Sequence, residues 1–299
     1  MKRVFSIFAV IVLILSSCMK QDSGVTEKEE EQIPETPPEP HLPERKALRI
    51  LAIGNSFSSD AVEQNLWDLF HAAGYTVAIG NLYAPGSYLG HHWSRIESDA
   101  PEYKYVKVME GKASLRENVR FSECIYDEDW DIISLQQASD ISGKYEKYQP
   151  YLKNILDVLG NCTGASCVFH QTWAYPSTST QAAFADYDND QETMYNAIMS
   201  AVQQAFRDEP RLLRVIPSGT AIQNARLVMG DVLNRDGLHL ELTYGRYKAA
   251  CTWFETITGV PVTGIDWWPD TITEDLARQC QACAHAACEK PYEVTLSLQ

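Results

Sequence analysis

The sequence predicts an α/β protein in which a mainly parallel β-sheet is covered by helices on both faces. Short, apolar, β-rich runs alternate with helical patterns between residues 48 and 257. The composition is that of an ordinary globular protein, with 45% hydrophobic and 22% charged residues in a chain of 299. We therefore expect a central sheet of about five parallel strands in one domain, residues 47–299.

The first unit of this sheet consists of a strand, a turn and a helix. Residues 48–53 form a short apolar run, and Gly54-Asn55 follows it as a turn. The next stretch, residues 60–73, has apolar side chains at helical spacing and predicts one amphipathic helix, with Val62, Leu66, Leu69 and Phe70 on its buried face.

The same alternation continues along the chain. We expect further strands over residues 76–83, 131–136, 168–171 and 213–216, and helices over residues 151–159, 192–206, 221–229 and 243–257. Residues 103–114 differ, because Val106, Val108 and a Glu110-Gly111 turn indicate an inserted hairpin. In a parallel sheet, ligands bind at the carboxyl ends of the strands, so functional residues should follow the strands.

The N-terminus has the features of a targeting segment. Lys2 and Arg3 precede a run, residues 4–15, that is apolar apart from Ser6 and too short to span a bilayer. The Leu-Ser-Ser-Cys sequence ending at Cys18 resembles the lipobox of bacterial lipoproteins, which implies acylation of Cys18 after removal of residues 1–17. An ordinary secretory peptide with a chance cysteine is the alternative.

Residues 18–46 are expected to form a tether behind the acylated cysteine. Residues 19–46 contain eight acidic residues and five prolines, a composition that cannot bury enough apolar area to fold and keeps the chain extended. We therefore expect a cell-envelope protein, lipid-anchored to a bacterial membrane. The outer membrane is favoured, and the leaflet is left open.

Charge and cysteine spacing exclude several partners. With 25 basic and 40 acidic residues, the net charge of −15 argues against nucleic-acid binding. Cys280, Cys283 and Cys288 lie in an alanine-rich helical pattern, without a second Cys or His pair at zinc spacing, and are expected to be buried helix residues. A disulfide between Cys162 and Cys167 is left open. We expect no metal and no cofactor.

Two separated segments could supply nucleophilic chemistry. Ser56 directly follows the first strand, where a tight turn would expose its hydroxyl beside backbone N–H groups at a helix N-terminus. Asp236-Gly237-Leu238-His239 precedes the last helix of the alternating region and combines an imidazole with a carboxylate that could orient it. Taken separately, the two segments could also be a helix cap and a loop cap.

Together the two segments resemble the first and last blocks of the SGNH (GDSL-type) hydrolase superfamily. The resemblance covers roughly residues 48–260 and includes Gly54-Asn55-Ser56-Phe57-Ser58 and the segment 131–139. Within the superfamily, the sequence is most similar to an uncharacterised branch of secreted lipoproteins. The resemblance implies a flavodoxin-like three-layer α/β/α sandwich.

Carried over to this sequence, the resemblance implies a Ser-His-Asp triad. Ser56 would be the nucleophile, His239 the general base and later acid, and Asp236 the carboxylate that orients the imidazole. The backbone N–H groups of Ser56 and Gly86 would contribute to the oxyanion hole.

The sequence departs from the superfamily pattern at two places. Asn55 stands where the superfamily usually has aspartate beside the nucleophile. The block that usually supplies an oxyanion-binding asparagine reads Gln136-Gln137-Ala138-Ser139-Asp140. Sialate and xylan acetylesterases have a Gln-Gly-Glu element there, which favours Gln136 as the third donor, with Gln137 second.

The function that the resemblance implies is that of a serine esterase acting on small acyl esters, with O-acetyl groups on carbohydrates as the favoured substrates. The expected partners are an acylated carbohydrate or another small ester, and a membrane through the lipid anchor. The alternative is a glycan-binding or assembly lipoprotein with the same fold and little turnover, because the altered third block would weaken the oxyanion hole.

Other conspicuous residues have simpler interpretations. The adjacent His91 and His92 would point to different faces of a helix, and we expect packing or exposed roles for them. A structural role is also favoured for His170, which follows the fourth strand. Trp267 and Trp268 are expected to cover the core, with a sugar-stacking platform as the less favoured alternative.

Overall fold

The computed structural model describes Leu42 and residues 45–295. The predicted signal peptide, Cys18 and nearly all of the tether lie outside these residues. The strands are β1 (Ala47–Gly54), β2 (Thr76–Tyr83), β3 (Tyr103–Met109), β4 (Lys112–Val119), β5 (Ile132–Leu135), β6 (Ser166–His170) and β7 (Leu212–Ile216). The α-helices are α1 (Ser56–Val62), α2 (Asn65–Ala72), α3 (Leu89–Ser98), α4 (Phe121–Ile125), α5 (Tyr151–Cys162), α6 (Gln191–Asp208), α7 (Ser218–Met229), α8 (Tyr244–Thr258) and α9 (Glu274–Glu289).

The strands form one sheet in the order β4-β3-β2-β1-β5-β6-β7. Neighbouring strands pair in parallel along β2, β1, β5, β6 and β7. Strands β3 and β4 extend the β2 edge as an antiparallel hairpin. Glu110 and Gly111 form its turn, with φ values of 51° and 70°. The predicted fold class and the inserted hairpin are thus confirmed.

Helices cover both faces of the sheet, because buried side chains alternate along the central strands. On β1, Ile50 and Ala52 pack into one apolar core, and Leu51 and Ile53 pack into the other. The first core is completed by α1, α2, α7, α8 and α9, and the second by α3, α4, α5 and α6. The result is the expected three-layer α/β/α sandwich.

The prediction of one helix over residues 60–73 was wrong. The chain forms two helices, and the first begins at Ser56 because the side chain of Asn55 caps it by accepting a hydrogen bond from the backbone N–H of Phe57 (2.9 Å). The helix is interrupted at residues 63–64, where Glu63 accepts a 2.6 Å hydrogen bond from Asn81 of β2.

The cysteines between residues 45 and 295 are all free thiols, so the disulfide left open between Cys162 and Cys167 is not formed. In α9, Cys280 and Cys283 are buried, as expected, whereas Cys288 is only partly buried. No group of side chains suited to hold a metal ion occurs in the described part of the chain. Within the same residues, none of the helices combines the length and apolar character needed to cross a bilayer.

Candidate active site

Ser56 lies at the carboxyl end of β1, near the middle of the sheet. Gly54 closes the strand, Asn55 caps α1, and Ser56 is the first helical residue. A side chain at position 54 would not fit, because a Cβ there would lie 2.6 Å from Oε1 of Gln136 on the neighbouring β5 connection. Glycine at position 54 permits this close approach, and the turn that follows places the hydroxyl of Ser56 at the sheet edge where parallel strands present functional groups.

His239 reaches Ser56 from the opposite end of the sequence. It belongs to the segment 230–243 between α7 and α8, which we call the histidine loop. The distance from its Nε2 to the Ser56 Oγ is 2.8 Å, and its Nδ1 lies 2.8 Å from Oδ2 of Asp236. Gly237 has φ +75° between the acid and the imidazole, a conformation that lets the loop fold back so tightly.

The carboxylate of Asp236 orients both the ring and the backbone of His239. Besides the ring contact, its Oδ1 accepts hydrogen bonds from the backbone N–H groups of His239 (2.7 Å) and Leu238 (3.2 Å). Partial burial alone would raise the pKa of Asp236, but the hydrogen bonds from His239 and the charges of His239 and Arg235 lower it. Asp236 therefore stays ionised and favours the His239 tautomer with a proton on Nδ1, which leaves Nε2 free to accept one from Ser56.

The backbone N–H groups of Ser56 and Gly86 have no hydrogen-bond acceptor within the described residues. Gly86 lies in the turn between β2 and α3, which Asn55 ties to the nucleophile by donating a 3.0 Å hydrogen bond from its amide to the Ser87 carbonyl. An oxyanion hole requires unengaged donors that converge on one point, and the role of these two N–H groups as such donors stays a prediction.

The two glutamines after β5 are buried and occupied by structural contacts. Gln136 donates through Nε2 to Oδ1 of Asn55 (2.8 Å), and Gln137 donates through Nε2 to the carbonyl of Lys147 (3.1 Å). Oε1 of Gln137 also accepts from the N–H of Leu89 (3.0 Å). Gln136 thus supports Asn55 behind the nucleophile, and the role of either glutamine as an oxyanion donor stays a prediction.

The structure shows why asparagine is suited to position 55. Its Oδ1 accepts from Phe57 and Gln136, while its Nδ2 donates to Ser87. An aspartate could accept the first two bonds, but in its ionised form it could not donate the third.

Several residues that support the site were missed by the sequence analysis. The ring of Phe57 stacks on Trp173 with a centroid distance of 4.1 Å, and Trp173 donates through its indole N–H to the Leu238 carbonyl (2.9 Å). Asp60 accepts a hydrogen bond from the N–H of Leu240, next to the imidazole. Trp173 lies three residues after the end of β6, and this position near a strand end was a signal that could have identified it.

The remaining conspicuous residues have structural surroundings. His170 is fully buried, with Nε2 3.0 Å from Ser218 Oγ, and this burial lowers its pKa to about 3. His92 is buried against the hydroxyl of Tyr103, whereas His91 is exposed. The two adjacent tryptophans, Trp267 and Trp268, pack partly buried against the core.

The central sheet with helices on both faces is a fold that this chain shares with an SGNH-type solved structure. The chain belongs to the DUF4886 family, a domain of unknown function, whose profile matches residues 49–287. It is similar to a DUF4886 family protein from Bacteroides uniformis ATCC 8492 of known crystal structure. The two are 42% identical with a TM-score of 0.82, over 83% of this chain and 97% of the other.

Other solved structures match the chain at lower identity. A candidate GDSL-like lipase from Parabacteroides merdae ATCC 43184 is 14% identical, with a TM-score of 0.50 over 74% of this chain and 99% of the other. A candidate SGNH hydrolase from Slackia heliotrinireducens is 20% identical, with a TM-score of 0.49 over 70% of this chain and 98% of the other. No curated protein matches the sequence.

Proposed function

We propose that this protein is a serine hydrolase that cleaves small acyl esters, with Ser56, His239 and Asp236 as its catalytic triad. The observation that carries the proposal is the continuous contact from the Ser56 hydroxyl through both ring nitrogens of His239 to the Asp236 carboxylate, at 2.8 Å on each side. A hydroxyl becomes a nucleophile when a positioned base removes its proton, and this arrangement provides such a base.

The reaction proceeds in two halves. Ser56 Oγ attacks the ester carbonyl carbon while its proton moves to Nε2 of His239, and the carbonyl oxygen becomes an oxyanion facing the N–H groups of Ser56 and Gly86. Collapse of this intermediate breaks the ester bond, and His239 returns the proton to the departing alcohol. Water then attacks the acyl-serine with His239 again as the base, releasing the carboxylic acid and restoring Ser56.

We propose O-acetyl groups on carbohydrates as the substrate class. The resemblance of the segment that begins at Gln136 to the Gln-Gly-Glu element of sialate and xylan acetylesterases supports this choice. The openness of the site also supports it, because the side chain of Asp236 is 48% exposed and that of His239 is 22% exposed. An ester carried on a bulky glycan can reach such a site without being enclosed.

We also propose that the protein is anchored to the bacterial cell envelope through an acylated Cys18, with residues 19–46 as its tether. The lipobox-like sequence before Cys18 and the acidic, proline-rich composition after it support this location. Cells fed an alkyne-bearing fatty acid should label the wild-type chain and leave a Cys18→Ser variant unlabelled. Equal labelling of the two chains would exclude Cys18 as the anchor.

The decisive experiment is reaction of the purified protein with a fluorophosphonate, followed by peptide mass spectrometry. The expected adduct is on Ser56, and a Ser56→Ala variant should lack it. In parallel, the wild type should release acetate from a chromogenic acetate ester and from acetylated xylo-oligosaccharides, whereas Ser56→Ala should not.

Two other outcomes have definite meanings. An adduct on Ser56 with turnover of the chromogenic ester but not of acetylated glycans would retain the hydrolase and reject the carbohydrate substrate. Folded protein that forms no adduct and releases no acetate would reject the hydrolase, and glycan arrays would then test the binding lipoprotein.

A further inference from the structure

We propose that Asp60 is a positioning residue that holds the histidine loop against the helix of the nucleophile. This inference rests on the proposed hydrolase function. Asp60 lies on α1 four residues after Ser56, which is about one helical turn. Its side chain is only 1% exposed, although a carboxylate is costly to remove from water.

The partners of this buried carboxylate come from the histidine loop and from α8. Oδ2 accepts a 2.9 Å hydrogen bond from the backbone N–H of Leu240, the residue after the proposed base. Nη1 of Arg235 lies 3.2 Å from both carboxylate oxygens, and Arg246 of α8 reaches Oδ1 at 2.8 Å. Asp60 therefore binds the histidine loop at the backbone N–H of Leu240 and at the charged side chain of Arg235.

The same contacts enclose the backbone of His239. Its carbonyl accepts a 3.0 Å hydrogen bond from the backbone N–H of Arg235, and the guanidinium of Arg235 also donates to the carbonyl of Leu240. Arg235 thus connects Asp60 to the peptide group that follows His239 and to the next peptide group along the chain. A shift of this ion pair would move the ring relative to Ser56.

Asp60 is the principal polar link between the two catalytic elements. Within the described residues, every hydrogen bond between α1 and the histidine loop goes to Asp60, except the bond between Ser56 and His239 themselves. Other supports of the loop, such as Asp236 within it and Trp173 and Ser179 outside it, form no hydrogen bonds with α1. The carboxylate thus sets the distance between two residues that are 183 positions apart in the sequence.

A contribution to stability alone does not account for the buried charge of Asp60. Replacing a buried ion cluster by apolar side chains is often neutral or stabilising, so the cluster by itself adds little to the free energy of unfolding. A fixed geometry has a larger effect on catalysis, because a displacement of about 1 Å can reduce turnover by roughly 100-fold. This comparison favours positioning as the role of Asp60.

The test compares the full-length protein with Asp60→Asn and Asp60→Ala variants in hydrolysis of a chromogenic acetate ester. Asparagine keeps an acceptor for the N–H of Leu240 but loses the charge that binds Arg235 and Arg246. We expect kcat to fall by about 10-fold in Asp60→Asn and by about 100-fold in Asp60→Ala, while KM changes by less than about 3-fold. The rate of fluorophosphonate labelling at Ser56 should fall in parallel.

Glu255→Gln provides the matched control. Glu255 is also a buried carboxylate that accepts a backbone N–H, from Val262 at 2.8 Å, and pairs with a basic side chain, His285, at 2.7 Å. It has no contact with Ser56 or with the histidine loop among the described residues. We expect this variant to lose thermal stability and to keep the wild-type kcat.

The outcomes separate this inference from the proposed function. If the wild type turns over and labels Ser56 while folded Asp60→Asn has an unchanged kcat, Asp60 is not a positioning residue. If Asp60→Asn and Glu255→Gln lose turnover only in proportion to their unfolded fractions, measured by circular dichroism, the role of Asp60 is structural. If the wild type neither labels nor turns over, both the proposed function and this inference are wrong. Should Asp60→Ala fail to fold, Asp60→Asn decides alone.

Discussion

Asn55→Asp tests whether the amide beside the nucleophile is required as a hydrogen-bond donor. Asn55 is buried and makes three hydrogen bonds, accepting from Phe57 and Gln136 and donating to the Ser87 carbonyl. An ionised carboxylate keeps the two accepted bonds and loses the donated one. The Ser87 carbonyl would then have no donor and would face a negatively charged oxygen. This should reduce the free energy of unfolding by about 1–3 kcal/mol at pH 7.

The sign of the pH dependence follows from the same geometry. A protonated carboxyl group can donate to the Ser87 carbonyl, so folding raises the pKa of the new group above its unfolded value of about 3.9. The variant is therefore closest to the wild type below that value, and its deficit grows as pH rises through the folded-state pKa. Urea unfolding of both proteins at pH 7 and pH 4.5 measures the difference, in which the titrations common to both proteins cancel.

Asn224→Asp is the matched control for turnover. Asn224 is buried, donates to the carbonyl of Cys283 and accepts from the N–H of Thr295, away from the proposed site. Both variants should be destabilised, but only Asn55→Asp should reduce kcat. The bond from Asn55 to Ser87 holds the turn that contains Gly86, so its loss should reduce kcat by up to roughly 100-fold, the effect of losing one oxyanion donor. Wild-type stability of Asn55→Asp at both pH values would refute the reasoning, and so would equal kcat values in the two variants.

Two further predictions concern the triad carboxylate and the buried histidines. Asp236→Ala should reduce kcat by a factor on the order of 10³–10⁴, because the carboxylate holds the imidazole. The free energy of unfolding should fall by only about 1 kcal/mol, because the carboxylate is half exposed. Parallel losses of kcat in enzyme assays and of stability in urea titrations would make Asp236 a loop cap instead. Burial lowers the pKa of His92 and of His170 to about 3, so both stay neutral in the folded protein while the unfolded chain takes up protons below about pH 6.5. The free energy of unfolding should therefore fall between pH 6.5 and pH 3 by up to about 1.4 kcal/mol per pH unit for each histidine. Urea titrations at pH 6.5 and 5.5 should show that His92→Gln removes one of these two contributions. An unchanged dependence of stability on pH in this variant would contradict the assignment.

Local sequence patterns were sufficient to predict most of the fold. Strand β2 occurs at the predicted residues, and the hairpin turn is at Glu110-Gly111, because alternating apolar residues and a turn that tolerates positive φ act over a few neighbours. The division of the first helical region into α1 and α2 was not predictable in this way. Its boundary lies where Glu63 binds Asn81 of a neighbouring strand, a contact between residues 18 positions apart.

The sequence by itself determined the α/β class, the position of Ser56 after the first strand and the short segment that joins Asp236 to His239. These features depend on hydrophobic periodicity and on residues close together in the chain. Only the tertiary structure decided that Ser56 and His239 meet at 2.8 Å, that both glutamines after β5 are held by structural hydrogen bonds, and that Asp60 links the two catalytic elements. The physical reason is that these contacts join residues up to 183 positions apart, and the packing of helices on the completed sheet brings them together.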